Sequence, residues 1–360
     1  MPDFHNLTIT GVEQEPNEAI HVTFNVPDKL TDTFEFKQGQ HVTLKADIEG
    51  EEVRRSYSIC AGTGEPLSIA IKRIEDGAFS TYAHACFVQG MTIPVMPPDG
   101  SFYTDIEPTS SRKYLLIAAG SGITPIISIA KTVLAEEPNS QVTLLYGNRR
   151  SKDIIFKERL LWLKNRYMTR LQWINFLSQE SQEAPILNGR LDSKKRAELN
   201  QHLIDITSYD EFFLCGPEGL ISEVSKDLRT SGIEEAHIHR ERFFASAEDA
   251  LIARQRSQKR ADQYAGLTTE VRVRSGGREI SFELNADGEN ILDGAIRAGL
   301  ELPFSCKGGV CATCKARITE GEVDMDLHHA LSANEVNDGF ILTCQSHPIS
   351  KRVCVDFDVI

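Results

Sequence analysis

The stretch Cys306-Lys307-Gly308-Gly309-Val310-Cys311-Ala312-Thr313-Cys314, with Cys344 standing alone downstream, decides how this chain is read. Its C-x4-C-x2-C…C spacing is that of the thiolates that hold a plant-type [2Fe-2S] cluster. Two bridged irons need four sulfur ligands. The residues between them, Gly308, Gly309, Val310, Ala312 and Thr313, are small enough for backbone N–H groups to approach those sulfurs and tune the reduction potential. Zinc is the alternative, since four cysteines also hold that ion. Zinc ligands, however, usually arrive as two short pairs, whereas three of these cysteines crowd one loop. Cys60, Cys86, Cys215 and Cys354 are scattered singly, which predicts small buried apolar residues. His328 and His329 share the region, but four well-spaced cysteines leave no need for a Rieske-type histidine pair, so both are expected at the surface.

Immediately upstream, VRVRSGGREISFEL (271–284) places two alternating runs around Ser-Gly-Gly and predicts a hairpin. NILDGAIRAG (290–299) predicts a short helix before the cysteine loop. The preceding ASAEDALIARQRSQKRADQYAGL (245–267) is polar and lacks a strong strand pattern, so residues 245–268 are expected to be an interdomain linker with some helix. Before that, KYLLIAAG, QVTLLYG, RLQWINFL and EFFLCG alternate with helical text such as ITPIISIAKTVL, the pattern of a parallel sheet with helices on its faces. The first hundred residues instead carry short runs, HVTFNV, HVTLKAD and LSIAIKRI, broken by turn residues, the pattern of an antiparallel barrel. The expected divisions are a barrel over 1–108, an α/β domain over 109–244, the linker, and a cluster domain over 269–360.

Two segments of the barrel suggest a flavin. In Arg55-Ser56-Tyr57-Ser58 the guanidinium suits a phosphate, the tyrosine ring can pack on an isoalloxazine, and the Ser58 hydroxyl can reach the edge where hydride arrives. An alternating strand with its tyrosine in the core gives the same four letters. The second segment is Ile71-Lys72-Arg73 followed by Asp76-Gly77-Ala78-Phe79-Ser80-Thr81, a glycine turn opening a helix whose first N–H groups can hold a pyrophosphate.

The nucleotide domain has Gly120-Ser121-Gly122-Ile123-Thr124-Pro125 after its first strand. This is a tight turn into a helix with Pro125 in the first helical turn, and it departs from G-x-G-x-x-G. Tyr146-Gly147-Asn148-Arg149-Arg150 and Cys215-Gly216-Pro217-Glu218-Gly219 also fall at strand ends, where open α/β sheets bind ligands. Arg149, Arg150 and Lys152 suit the 2′-phosphate of NADPH. They read equally as a solvated basic loop, so NADH stays possible. Cys215 fits a place beside the nicotinamide and equally an ordinary strand-end cysteine.

The chain's 360 residues suggest roughly two to three domains. A net charge of −13, from 39 basic and 52 acidic residues, argues against nucleic acid or an anionic membrane surface as partner. The start MPDFHNLTITGVEQEP lacks the pattern of an export signal, and no run approaches a membrane span, so a cytoplasmic location is expected.

Together these motifs resemble the ferredoxin-NADP reductase superfamily with a plant-type ferredoxin domain fused behind it. Within that superfamily they resemble the reductase subunits of ring 1,2-phenylacetyl-CoA epoxidases. GQHVTLKADIEGEEVRRSYSIC, AAGSGITP, YGNR, CGPEGL, CKGGVCATCKARITEGEV and FILTCQSHP carry the likeness. The family usually has Pro-Gly-Gln where this chain has Gln38-Gly39-Gln40, a change confined to a turn. The resemblance implies a multidomain fold: an antiparallel β-barrel flavin domain, a parallel-sheet α/β NAD(P) domain and an α+β ferredoxin domain of the β-grasp type. It further implies that Arg55, Tyr57, Ser58 and Gly77 to Ser80 contact FAD, that Thr124 lies near the flavin ring, and that Gly120, Gly122 and Cys215 to Pro217 frame the nicotinamide nucleotide. The implied activity is electron flow from NAD(P)H through FAD and [2Fe-2S] to a di-iron oxygenase component. Reductases of ketosteroid hydroxylases, ring-hydroxylating oxygenases and the hybrid-cluster protein share this layout. A zinc-stabilised nucleotide-binding module is the non-enzymatic alternative.

Overall fold

The computed structural model describes residues 4–243 and 247–359. The opening residues of the expected linker, 245 and 246, lie outside the described residues.

Strands β1 (His5–Glu15), β2 (Ala19–Asn25), β3 (His41–Ile48), β4 (Glu51–Ser58), β5 (Ser68–Lys72) and β6 (Thr92–Val95) make one sheet in the order β4-β3-β6-β1-β2-β5. An antiparallel bridge between Ile59 and Ile69 brings its two ends together as in a barrel. The alternation seen in the sequence turns Leu7, Ile9, Val22, Val42, Leu44, Ile69, Ile93 and Val95 inward, all fully buried. Each such side chain contributes about 1.5–3 kcal/mol. Helix α1 (Ala78–Cys86) follows β5 and packs Phe79 and Ala83 into this core.

Strands β7 (Lys113–Ala119), β8 (Gln141–Asn148), β9 (Leu171–Leu177), β10 (Glu211–Cys215) and β11 (Ile238–Glu241) form a fully parallel sheet in the order β11-β10-β7-β8-β9. Between them run helices α2 (Ile123–Glu136), α3 (Lys157–Arg166), α4 (Ser193–His202) and α5 (Glu218–Thr230). Burial on both faces explains why the central strand reads as an unbroken apolar run: Tyr114, Leu115, Leu116, Ile117 and Ala118 are all buried.

Helix α6 (Ala247–Gln263) opens the C-terminal region, followed by β12 (Thr268–Ser275), β13 (Arg278–Asn285), α7 (Ile291–Arg297), β14 (Lys315–Glu320), β15 (Val323–Met325), α8 (Ala333–Asn337), β16 (Phe340–Leu342), β17 (Ser346–Pro348) and β18 (Arg352–Asp356). A mixed sheet, β13-β12-β18-β14-β16, grips α7, and β15 pairs with β17 beside it. Gly294 lets α7 press onto β13, since a β-carbon there would lie 2.8 Å from the side chains of Leu284 and Phe282.

The chain forms two compact units. One holds His5–Val53 with Tyr57–Glu241, the other Arg54–Ser56 with the chain from Arg242 onward. Of the four scattered cysteines expected in cores, Cys60 and Cys215 are buried. Cys86 is exposed at the end of α1, and Cys354 is half-exposed with its thiol toward Glu320.

Candidate functional site

The carboxyl ends of β7 and β10 abut. After Ala119 the chain turns through Gly120, at φ +55°, into a single 3-10 turn and then α2. A β-carbon on Gly122 would lie 2.2 Å from the carbonyl oxygen of Cys215 and 3.0 Å from the nitrogen of Gly216. Glycine is therefore required at 122 by backbone proximity rather than by torsion. Gly216 in turn packs closely on Ala119. Several polar groups of this region are committed to shaping the turns. The Tyr146 hydroxyl donates to Gly120 O at 2.9 Å, and Thr124 Oγ1 donates to Ser121 O at 3.1 Å. Pro125 lies in the first turn of α2, where no N–H is needed. Gly147 and Asn148 end β8, and Arg149, Arg150 and Lys152 lie just beyond them, the two arginines exposed.

At the same end of the sheet three side chains meet. Ser58 Oγ donates to Glu241 Oε2 at 2.9 Å, and Glu241 is the register partner of Cys215 across the parallel pair β10–β11. Burial pushes the Glu241 carboxyl up to about 8, against the opposing effect of the Ser58 hydrogen bond, so it holds its proton at neutral pH. Burial, with the neighbouring Glu241, also raises the Cys215 thiol well above its ordinary range, so this cysteine is no thiolate nucleophile. The sequence pointed to Ser58 and Cys215 but missed Glu241. The available signal was its place at the carboxyl end of the last strand of the parallel sheet.

On the barrel side, Asp76 (φ 58°) and Gly77 form the turn into α1, and Gly77 caps the helix without a side-chain hydrogen bond. The first N–H groups of the helix, at Ala78, Phe79 and Ser80, are thus available as an anion cradle. Ser80 Oγ is already engaged, accepting from Ile74 N–H and donating to Gly77 O. Ile71 and Phe79 put their side chains in the barrel core, where Phe79 lies 5.8 Å from the Tyr57 ring, so they offer a ligand only backbone. Lys72 has its pKa lowered first by burial and then by the nearby charge of Arg149, which brings the barrel and the basic loop after β8 to one place. Arg55 is exposed on β4.

In the cysteine loop the thiols influence one another in two pairs. Cys311 is the largest influence on the Cys306 thiol, and Cys344 the largest on the Cys314 thiol. Two thiols for each of two irons is what a [2Fe-2S] rhomb demands. The Cys306 thiol is drawn down to about 6, first by its hydrogen bond with Cys311 and then by backbone N–H groups of Gly308, Val310 and Cys311. Gly308 N–H reaches its sulfur at 3.3 Å. Left-handed backbone at Lys307 (φ 49°), Gly309 (φ 74°) and Ala312 (φ 55°) folds the loop so that its amides point inward.

A glycine-lined nucleotide turn, a helix-start anion cradle and a paired-thiol loop define a pyridine-nucleotide oxidoreductase with flavin and iron-sulfur groups. Comparison with known proteins agrees. Residues 6–103 match the family described as Oxidoreductase FAD-binding domain, residues 116–226 the Oxidoreductase NAD-binding domain, and residues 273–348 the 2Fe-2S iron-sulfur cluster binding domain. The chain is 43% identical over 360 residues to a component of the 1,2-phenylacetyl-CoA epoxidase of Escherichia coli (strain K12), covering 99% of each. It is 32% identical to the ferredoxin reductase component of 3-ketosteroid-9-alpha-monooxygenase from Rhodococcus rhodochrous, covering 98% of this chain and 96% of that one. Its fold is similar to the crystal structure of phthalate dioxygenase reductase, with a TM-score of 0.57, 23% identity and 98% coverage of both. The chain belongs to the ferredoxin-NADP reductase-like family of oxygenase reductase components, with FAD, NAD(P)H and [2Fe-2S] as its redox groups.

Among the described residues no helix is long and apolar enough to cross a membrane.

Proposed function

We propose that this protein is the reductase component for a di-iron oxygenase that epoxidises phenylacetyl-CoA, and that it draws electrons from NADPH in the cytoplasm. The 43% identity over 99% of both chains to the Escherichia coli epoxidase component carries this reading. The four cysteines outside the cluster loop, Cys60, Cys86, Cys215 and Cys354, form no disulfide, which suits a reducing compartment that also supplies NADPH.

When bound, the flavin supplies the conversion between the hydride pair of a nicotinamide and the single electrons of an iron-sulfur centre. The residues supply place and charge. Backbone N–H groups of Ala78, Phe79 and Ser80, beyond the Gly77 turn, would hold the FAD pyrophosphate, Arg55 would balance phosphate charge, and Tyr57 would lie against the ring system. Ser58 would lie at the flavin edge, its hydroxyl oriented by the hydrogen bond it donates to Glu241. Gly120, Gly122, Gly216 and Pro217 leave room for the nucleotide at the strand ends, where buried Cys215 fills space beside the nicotinamide. Arg149, with Arg150 and Lys152, pairs with the 2′-phosphate. Cys306 and Cys311 hold one iron, Cys314 and Cys344 the other.

The test is reconstituted turnover with the oxygenase components of phenylacetyl-CoA epoxidase, following NADPH oxidation and epoxide formation together. Coupled product formation is expected. Rapid reduction of a dye with no epoxide would assign the acceptor to another oxygenase, such as a ketosteroid hydroxylase.

A further inference from the structure

Helix α6 occupies the segment that the sequence assigns to a linker, yet it is fastened along its length to the residues beside the cysteine loop. Near its start, Asp249, 4% exposed, takes a hydrogen bond from His329 Nε2 at 2.7 Å. Arg256 donates to Met325 O. Near its end, Arg260, 3% exposed, donates to Asp324 Oδ2 at 2.7 Å, to Asp326 Oδ1 at 2.8 Å and to Ala286 O at 3.0 Å. A buried guanidinium is costly unless its donors are met by charge, and here two carboxylates meet them.

The other side of this 324–330 strap faces the cluster ligands. Asp326 N–H donates to Gln345 O at 2.8 Å, and Ala330 N–H donates to Gly309 O at 3.1 Å. Leu327 lies so close to Gly309 that a β-carbon there would meet its side chain at 3.1 Å. Gln345 Nε2 in turn donates to Lys307 O at 2.9 Å and approaches Cys344 Sγ at 3.7 Å. Burial alone would raise the Asp326 carboxyl, but hydrogen bonds from His347 and Arg260 outweigh it and hold its pKa below the usual range. A continuous run of contacts thus leads from Arg260 through Asp326 and Gln345 to a ligand sulfur.

We propose that Arg260 is a positioning residue for electron transfer: it locks α6 to the strap that braces the cluster loop, and its charge offsets Asp324 and Asp326 beside that loop. Two consequences follow. Helix α6 moves with the cluster as one body, so it is no free tether. The reduced cluster, which carries one more negative charge than the oxidised one, is stabilised by the guanidinium and disfavoured by the carboxylates. Two of the four acidic residues after the cysteine loop, Asp324 and Asp326, are therefore spent internally, while Glu320 and Glu322 stay exposed.

The inference rests on the [2Fe-2S] assignment, which iron and acid-labile sulfide contents of the parental full-length protein check separately. Arg260→Met, Asp324→Asn and the triple variant Arg260→Met/Asp324→Asn/Asp326→Asn are compared by EPR-monitored redox titration. Trypsin cleavage after Arg254, Arg256 and Lys259 reports whether α6 is held. Arg260→Met should lower the cluster potential by a tenfold change in the one-electron equilibrium, about 59 mV, and speed cleavage. Asp324→Asn should raise the potential, and the triple variant should return it toward the parental value. Opposite signs from Arg260→Met and Asp324→Asn are beyond a merely structural role. A cluster-loaded Arg260→Met at parental potential, or a shift of the same sign in Asp324→Asn, overturns the proposal. If Arg260→Met fails to load iron, Arg260→Lys replaces it. Parental potential there together with a raised potential in Asp324→Asn supports the proposal, and an unmoved Asp324→Asn overturns it.

Discussion

Replacing Gly122 by alanine adds one carbon at the closest backbone approach in the nucleotide region. That carbon would lie 2.2 Å from Cys215 O and 2.6 Å from Cys215 C, both backbone atoms. A comfortable carbon–oxygen contact needs about 3.3 Å, so the ends of β7 and β10 must separate by roughly 1 Å. Gly122 already has helical torsions, φ −60° and ψ −7°, so alanine brings no torsional strain. Gly122 is the N-cap of α2, where alanine gains nothing over glycine. The net loss of stability should therefore be the overpacking cost of about 1–3 kcal/mol. The functional effect should be larger, because a displacement of about 1 Å in a reacting site can cost about a hundredfold. Thermal unfolding and kcat/KM for NADPH-dependent dye reduction measure the two effects. Gly219→Ala, on α5 with nothing within 4 Å, should leave kcat/KM unchanged and raise stability by up to about 1 kcal/mol. Gly120→Ala, unhindered but at φ +55°, should cost about 1–2 kcal/mol by torsion alone. Wild-type kcat/KM in Gly122→Ala would refute the reasoning.

Other perturbations probe the remaining parts. Glu241 keeps its proton to about pH 8 in the folded chain, against an ordinary glutamate value of 4.5, so the folded state binds the extra proton and stability falls as pH rises across that window, by at most about 1.4 kcal/mol per unit. Glu241→Gln should flatten this slope in the flavin-free protein between pH 5 and pH 8, and an unchanged melting profile would contradict it. Cys344→Ser should lose the cluster, seen as a fall in iron and sulfide, while NADPH-dependent dye reduction through the flavin continues; full iron content would contradict the pairing of Cys344 with Cys314. Arg149→Ala should raise KM for NADPH about tenfold and leave KM for NADH nearly unchanged, and equal changes for both would remove the 2′-phosphate role.

The sequence made the architecture legible because each region follows a different hydrophobic period. Alternation in β1 through β6, unbroken apolar runs in β7 and β10, and a cysteine loop of fixed spacing each admit few folds. The 2Fe-2S domain was readable because the spacing of its cysteines is a local pattern within one loop. Glu241 was not, because its role depends on β11 lying beside β10, a register that no local pattern in IHRE announces. Phe79 and Ile71 show the converse: the turn into α1 is where the motif put it, but side-chain direction sends both into the barrel core. Ser80, Tyr146 and Thr124 likewise sit where the motifs put them and use their hydroxyls to hold the turns. The helix expected within the polar stretch before β12 is α6, but its fastening through Arg260 was not legible, because the carboxylates that bury Arg260 lie more than sixty residues further on.

The central claim is that electrons pass from the nicotinamide to the cluster only by way of the flavin. Anaerobic rapid mixing of the full-length protein with NADPH, followed by absorbance and freeze-quench EPR, tests it directly. Flavin absorbance should bleach first and the signal of the reduced cluster should grow in a second phase, while protein stripped of flavin should give no reduced cluster at all. A cluster that stays oxidised after the flavin is reduced, or one that is reduced without flavin, contradicts the account.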